Sequence, residues 1–361
     1  MDTAVLTPVF QSSGPFATVV ADVGRDTESG GQAHELRVRA ACEQLRKQGA
    51  DQSVVDLVAD RLGEVVPEPA PVARVVVANA DGIAYDEVAH ARLDQPVATW
   101  GPLPDLARWI EQRDATVSFV LALVDHEGGD VSVHSSDLPT PEESESVSGS
   151  TENVHQKGAD DWGALKFQHR TENVWKQNAA EVADHVMSHV RTGTRLVLLG
   201  GDPRSKSLVR ERLNESEAEV VELDHGTRAA DGGDEALQRA IRDALVDQVV
   251  RRRLDRVHEL RDRLGRGEAV ATGTSDVADA FVRGQVETLL LDPAPAADID
   301  LDVSAHPDLS LGEAHPEAPV PADQALVAAA VLTDAEVGVA PAAAMGGAPV
   351  AALLRWNQPP A

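Results

Sequence analysis

Gly158-Ala-Asp-Asp-Trp-Gly-Ala-Leu-Lys-Phe167, continued by Gln168-His-Arg-Thr-Glu-Asn-Val-Trp-Lys176, is the stretch on which the reading of this chain turns. Upstream, residues 135–158 are rich in Ser, Glu, Pro and Gly, which predicts a mobile loop. Downstream, Phe167, Val174, Trp175, Val182, Val186 and Val190 recur at helical spacing and predict a helix from about Gly163 to Val190. Before the loop, Val117-Ser-Phe-Val-Leu-Ala-Leu-Val124 reads as a strong strand, and Gly128-Gly129-Asp130 turns the chain into Val131-Ser-Val-His134. A glycine-led tip therefore enters a long helix after two hairpin strands. Asp160 and Asp161 also suit the N-cap of that helix.

Past the helix, Arg195–Leu199 reads as a buried strand, Ser205 to Asn214 as a helix, Glu219–Glu222 as a strand and Asp234 to Arg266 as a second long helix. Together these make a β-α-β-α module over residues 114–266, with the tip at 155–163. Residues 1–113 read as an α+β domain. It has a strand at Phe16–Ala21, helices at Ala33–Lys47 and Gln52–Val65, and a hairpin of Arg74–Ala78 and Ile83–Val88 about Asp81-Gly82. Residues 267–361 read as a small α/β sandwich, with strands at Ala269–Thr274, Val286–Leu291, Val337–Ala340 and Val350–Trp356. Helices run up to Arg283 and over Ala325–Leu332, and the Pro- and Asp-rich 292–322 reads as turns. The fold class is α/β in three parts.

Of 361 residues, 42% are apolar and 25% charged, as in globular domains. No apolar run reaches the roughly 20 residues of a membrane helix, and the start lacks the basic region of a secretory signal. One cysteine, Cys42, excludes an internal disulfide framework and a zinc ribbon, and reads as a small core residue. A soluble cytoplasmic protein is expected, with no membrane or DNA partner. The net charge of −28 weighs against coating a nucleic acid, because phosphate contacts need Lys and Arg. Its distribution is uneven. Three of the five lysines, Lys157, Lys166 and Lys176, fall within twenty residues, and seven arginines lie between Val250 and Gly267, whereas Glu268 onward carries fourteen acids against two bases. Basic residues thus concentrate in the middle part, although a charge run is also what a solvated face looks like.

The Gly158–Lys176 run resembles the middle domain of the archaeal and eukaryotic class-1 release factor and Pelota superfamily. In catalytic members the loop carries Gly-Gly-Gln, followed by Ser-Ala-Leu-Arg-Phe. Here Gly158 keeps the leading glycine and Ala164-Leu165-Lys166-Phe167 stands at Ala-Leu-Arg-Phe, but the tripeptide falls on Asp160-Asp161-Trp162. The resemblance extends to the three-part layout, with an L7Ae-like third domain. It points to the bacterial branch, which includes actinobacterial dormancy-associated proteins and the hibernation factor Balon. Gly200-Gly201-Asp202-Pro203 with Leu208–Leu213, and Arg283–Leu290, are similar to that branch as well.

The resemblance implies a ribosome factor entering the A site as a tRNA mimic, with rRNA contacts and EF-Tu or another translational GTPase as escort. Gly158, Asp160, Asp161, Trp162 and Lys166 would form the loop facing the ribosomal centre, and Lys157, His169, Arg170 and Lys176 would contact RNA. Hydrolysis of peptidyl-tRNA needs a water held near the ester. Glycines admit the close backbone, and the Gln amide supplies both donor and acceptor. Trp162 has only an indole N–H donor, and the two aspartates bring negative charge toward RNA. No release activity, and no cofactor or metal, is therefore expected. A release or rescue enzyme acting through a divergent loop, and a stress protein that binds only proteins, stand as alternatives.

Other motifs carry less. A literal Gly30-Gly31-Gln32 reads as a glycine-rich connector before the first helix, with no Ala-Leu-Arg-Phe beside it. His185 and His189 are four apart but lack the Glu of a zinc helix and a third ligand. Gly200-Gly201 reads as an ordinary turn from strand to helix, since no Gly-Lys-Ser/Thr follows.

Overall fold

The structure is a computed structural model. It describes residues 3–25, 30–67, 71–93, 95–138, 140–148, 161–224 and 234–356, with the backbone alone for 161–172 and 234. The first 115 residues contain α1 (Thr7–Phe10), β1 (Phe16–Asp22), α2 (Gly30–Lys47), α3 (Gln52–Gly63), β2 (Ala73–Asn79), β3 (Gly82–Ala89), β4 (Val97–Gly101) and α4 (Ala107–Asp114). Then follow β5 (Ser118–Val124), β6 (Gly128–Ser135), β7 (Glu143–Ser148), α5 (Asp161–Arg191), β8 (Leu196–Gly201), α6 (Pro203–Leu213), β9 (Glu219–Glu222) and α7 (Asp234–Arg266). The remainder forms β10 (Val270–Thr272), α8 (Thr274–Val282), β11 (Val286–Leu291), α9 (Pro293–Ala297), β12 (Asp300–Leu301), β13 (Val320–Pro321), α10 (Ala322–Leu332), β14 (Glu336–Val339) and β15 (Val350–Leu354). This is a mixed α/β architecture with several sheets. It divides into two compact units, one of Met1–Ala115 with Val250–Ala361, the other of Thr116–Val249.

In the first unit, β3-β2-β1-β4 form an antiparallel sheet in that order. β1 and β2 are apolar along almost their whole length because both faces are covered. Ala17, Val19 and Ala21, with Val76 and Ala78 opposite, pack beneath Leu45 of α2 and Val54, Val55, Val58 and Leu62 of α3. Alternate residues point the other way. Phe16 and Val20, with Val75 and Val77, join Trp109 and Ile110 of α4 in a core that continues through α8, α10, β11 and β15. The first and third stretches of sequence therefore share one apolar interior. A second sheet of the unit runs β10-β15-β11-β14, with β11 and β14 parallel. Val257 and Leu260 of α7 pack with Leu290, Ala351 and Leu353 of this sheet. α10 is buried on nearly every side, as its sequence ADQALVAAAVL requires.

The second unit is a five-stranded sheet, β7-β6-β5-β8-β9, with β5, β8 and β9 parallel. Val182, Val186 and Val190 of α5 and Val209 and Leu213 of α6 pack with Val120, Ala122, Val197 and Leu199. Phe119, Leu121, Leu196 and Leu198 point the other way and pack with Leu237 and Ile241 of α7.

Three expectations change. Residues 135–158 do not form one loop, because Glu143–Ser148 pairs antiparallel with β6 as an edge strand. Its alternation is hidden in the sequence because Glu143 and Glu145 share the inward parity of Val147. Gly30-Gly31-Gln32 is not a loop before the helix but the first turn of α2. A Cβ on Gly30 would lie 2.5 Å from the Arg25 carbonyl oxygen, so this glycine serves a close backbone approach. Finally, β4 and α4 were not anticipated. They lie among Pro96, Pro102 and Pro104, and eight residues are too short for helical periodicity to declare itself.

Candidate functional site

Lys157, Gly158 and Asp160 lie outside the described residues, as does most of the tip at 155–163. Asp161 begins α5, and the backbone of Trp162, Lys166, His169 and Arg170 is helical. At about 100° per residue, the positions of Trp162, Lys166, His169, Arg170 and Lys176 fall within an arc of roughly 120°. The buried residues Asn178, Ala179, Val182, Ala183, Val186 and Val190 centre on the other side of the helix. Asn173, Lys176 and Gln177, on this arc where the described side chains begin, are exposed, whereas Ala180 and Met187 further along it are half-buried. The sequence-predicted positions within the helix thus share one face, and that face is not the one committed to the core.

The root of this helix is held in place by groups that sequence reasoning did not single out. The Arg204 guanidinium lies 4.9 Å from the centroid of the Trp175 ring, a cation–π distance. The His126 ring, from the turn between β5 and β6, stands 6.0 Å from Trp175 at a tilt of 59°. Asn178 donates from Nδ2 to the His126 carbonyl at 3.0 Å. No local spacing announces this cluster, which is assembled only when β5, α5 and α6 meet. A groove of about 770 Å³ runs between α5 and α6, lined by Lys176, Arg191 and Arg212 together with Asp184, Glu211 and Glu215. Its mixed charge gives it no clear preference for an anion.

The weaker motifs resolve into structure. Asp202 caps α6, accepting from the backbone N–H groups of Arg204 and Ser205 at 3.0 Å each. A carboxylate thus already occupies the place where Gly200-Gly201 would present a helix terminus to phosphate. His185 Nδ1 lies 3.0 Å from Glu145 and His189 Nδ1 3.8 Å from Glu143, tying α5 to the edge strand. Among the described residues no group of three His, Cys, Asp or Glu is placed to hold a metal ion. No described helix is long and apolar enough to cross a membrane.

The arginine run of α7 is also reassigned. Arg253 Nε and Arg256 Nη1 reach the two carboxylate oxygens of buried Asp114 at 3.1 and 2.6 Å, and Arg252 donates to the Asp114 carbonyl. Arg263 donates to the Leu354 carbonyl at 2.9 Å and pairs with Glu259 and Glu287. These cations belong to the first unit, where Arg252, Arg253 and Arg256 tie its two chain segments together, so they do not add to a basic surface of the middle part.

Comparison with known proteins bears on this arrangement. Residues 118–266 match the profile of bacterial archaeo-eukaryotic release factor family 2. An uncharacterised protein of Mycobacterium tuberculosis, found in strains CDC 1551 and H37Rv, is 26% identical over 288 residues, covering 78% of this chain and 75% of its own. A Pelota homologue of Natronomonas pharaonis is 27% identical over 106 residues, 28% of this chain and 30% of its own. Among solved structures, Archaeoglobus fulgidus Pelota aligns over 79% of this chain and 80% of its own, with 17% identity and a TM-score of 0.34. Saccharomyces cerevisiae Dom34, a translation termination-like factor, aligns over 99% and 94% with 9% identity and a TM-score of 0.43.

Proposed function

Because residues 118–266 match the profile of bacterial archaeo-eukaryotic release factor family 2, we propose that the chain is a ribosome-binding factor that enters the A site without releasing the nascent chain, and that it occupies idle ribosomes under stress. The observation that carries the reading is the shared face of α5. The backbone positions of Trp162, Lys166, His169, Arg170 and Lys176 fall on one arc, apart from the centre of the buried stripe, which supports the reading. Trp162 can stack on an unpaired base, a contact worth on the order of 1–3 kcal/mol. Lysine and arginine along the same arc meet phosphates. The absence of Gly-Gly-Gln from the tip supports a non-hydrolytic role, and a tRNA-delivering GTPase such as EF-Tu is the escort this reading implies. The charge of −28 favours a second reading, a protein-binding stress factor, which ribosome co-sedimentation tells apart.

Two results are expected. Purified protein should co-sediment with ribosomes and yield no peptide release above a no-factor control on stalled peptidyl-tRNA. Release that disappears on Trp162→Ala would instead make the divergent tip a working hydrolase. In the second, alanine at Lys157, Lys166 and Arg170 together should weaken ribosome binding. It should also flatten the salt dependence, by roughly 0.7–0.9 in slope for every phosphate that is no longer neutralised. Unchanged affinity would move the anchor to the other unit.

A further inference from the structure

The first turn of α2, which holds the unused Gly30-Gly31-Gln32, opens onto a cavity of about 530 Å³ between α2 and α3. Arg25, Arg39 and Arg46 line it, against the single acid Glu35, in a chain that is otherwise heavily acidic. His34 also lines it and is 98% buried, yet among the described residues neither ring nitrogen has a hydrogen-bond partner. Arg25 Nε is buried and equally without one among the described residues, although Nη2 of the same side chain donates to the Gly63 carbonyl at 2.7 Å. Unsatisfied buried polar groups cost on the order of 1–3 kcal/mol each, so two side by side call for a ligand that satisfies them.

The chemistry of that ligand follows from the lining. The first turn of α2 carries no acidic residue, so none of its own side chains neutralises the positive end of the helix dipole. A Cβ on Gly31 would meet nothing within 4 Å, so packing does not demand glycine there and the space beside this turn is open. Burial first, then the charges of Arg25 and Arg37, hold the His34 pKa below its ordinary value. The Leu62 carbonyl and the charge of Asp22 pull the other way and offset that only in part. A neutral imidazole offers one N–H to an oxyanion and one lone pair to a hydroxyl. Burial keeps the Cys42 thiol protonated, so it is no competing anion.

We propose that this cavity, built by Arg25, Gly31, His34, Arg39 and Arg46, is a binding site for the phosphate of a small phosphomonoester. The volume exceeds what a lone phosphate fills, which leaves room for a nucleoside-sized remainder. The site lies on the first unit, independent of the α5 face.

Isothermal titration of the full chain with inorganic phosphate, AMP and adenosine, against chloride at matched ionic strength, tests the proposal. Saturable binding of phosphate and tighter binding of AMP, with adenosine inert, is expected. Gly31→Glu places a carboxylate into the open space at a helix N-terminus, where an acid favours folding, and should lower phosphate affinity at least ten-fold. Arg39→Glu, at an exposed position, should do the same. Circular dichroism and thermal midpoints of both variants establish that they are folded. Absence of phosphate binding beyond chloride, binding of adenosine equal to that of AMP, or undiminished affinity in both folded variants would each overturn the assignment.

Discussion

Gly201→Ala should cost the second unit at least about 4 kcal/mol, a large fraction of the stability an ordinary domain possesses. Gly201 ends β8 with φ at +120°, a conformation that L side chains rarely adopt. More decisively, a Cβ there would sit 1.9 Å from the Val124 carbonyl oxygen and 2.7 Å from the Val124 nitrogen. Val124 is its register partner on β5, and the same carbonyl accepts from the Asp202 N–H at 2.9 Å. Backbone has no rotamer by which to yield, so the β5–β8 pair must part, and β5 and β8 are interior strands of the five-stranded sheet. Gly193→Ala is the control. It has nearly the same φ, +118°, but its Cβ meets nothing within 4 Å, so roughly 1–2 kcal/mol of backbone strain is the whole penalty. Hydrogen exchange of β5 and β8 amides reads the difference. Loss of protection in the first variant with near-native protection in the second is expected, and equal protection in both would contradict the contact.

Asp323→Asn should stabilise the first unit by on the order of 3 kcal/mol at pH 8 and leave it nearly unchanged at pH 4. Asp323 opens α10 almost completely buried, accepting from the Gln324 N–H at 2.9 Å. With Asp105 and Arg108 it lines an apolar-walled cavity of about 490 Å³. Burial, and then the charge of Asp105, push its pKa up from 3.8 to about 7. Burial raises Asp105 likewise. The folded state therefore holds a proton that the unfolded chain has released between about pH 4 and 7, and stability falls as pH rises through that interval. A tenfold difference in proton affinity between the two states is about 1.4 kcal/mol, which sets the size of the effect. The asparagine keeps the acceptor for Gln324 and removes the charge, while its own buried N–H groups offset part of the gain. Urea unfolding at the two pH values measures it. A variant equally stable or weaker at pH 8 would mean that Asp323 is ionised without penalty.

Where the sequence was legible, the reason is periodicity. α7 was readable to its ends because thirty-three residues without Pro or interior Gly until Gly265 leave no other reading, and β11 is a short, mostly apolar run between clear breaks. β7 was not, because two of the three positions on the face of Val147 are exposed glutamates met by His185 and His189, a pairing made only after α5 has packed. The arginines of α7 were misjudged for the same reason. Asp114, the acid that claims Arg253 and Arg256, stands 139 and 142 residues away in the chain. Lys206, the next lysine along the chain after Lys157, Lys166 and Lys176, is likewise spent inside the fold, donating to the Leu223 carbonyl at 2.9 Å. The candidate tip Asp160-Asp161-Trp162 was named from sequence, and Asp160 lies outside the described residues. The Trp175, His126 and Arg204 brace beneath it was not, since three elements distant in sequence supply it.

The shared interior of residues 1–115 and 250–361 has a consequence for how the chain is made. As the polypeptide leaves the ribosome, β1, β2 and α4 emerge with Phe16, Val20, Val75 and Trp109 lacking the α8, α10 and β15 residues that cover them. The inserted Thr116–Val249 has its own sheet and can close first. At roughly 5–20 residues per second, the early segment waits some tens of seconds for its complement. During that interval a broad apolar face is open to chaperones, and slowing synthesis between residues 250 and 354 should lengthen its exposure more than slowing it anywhere before residue 16.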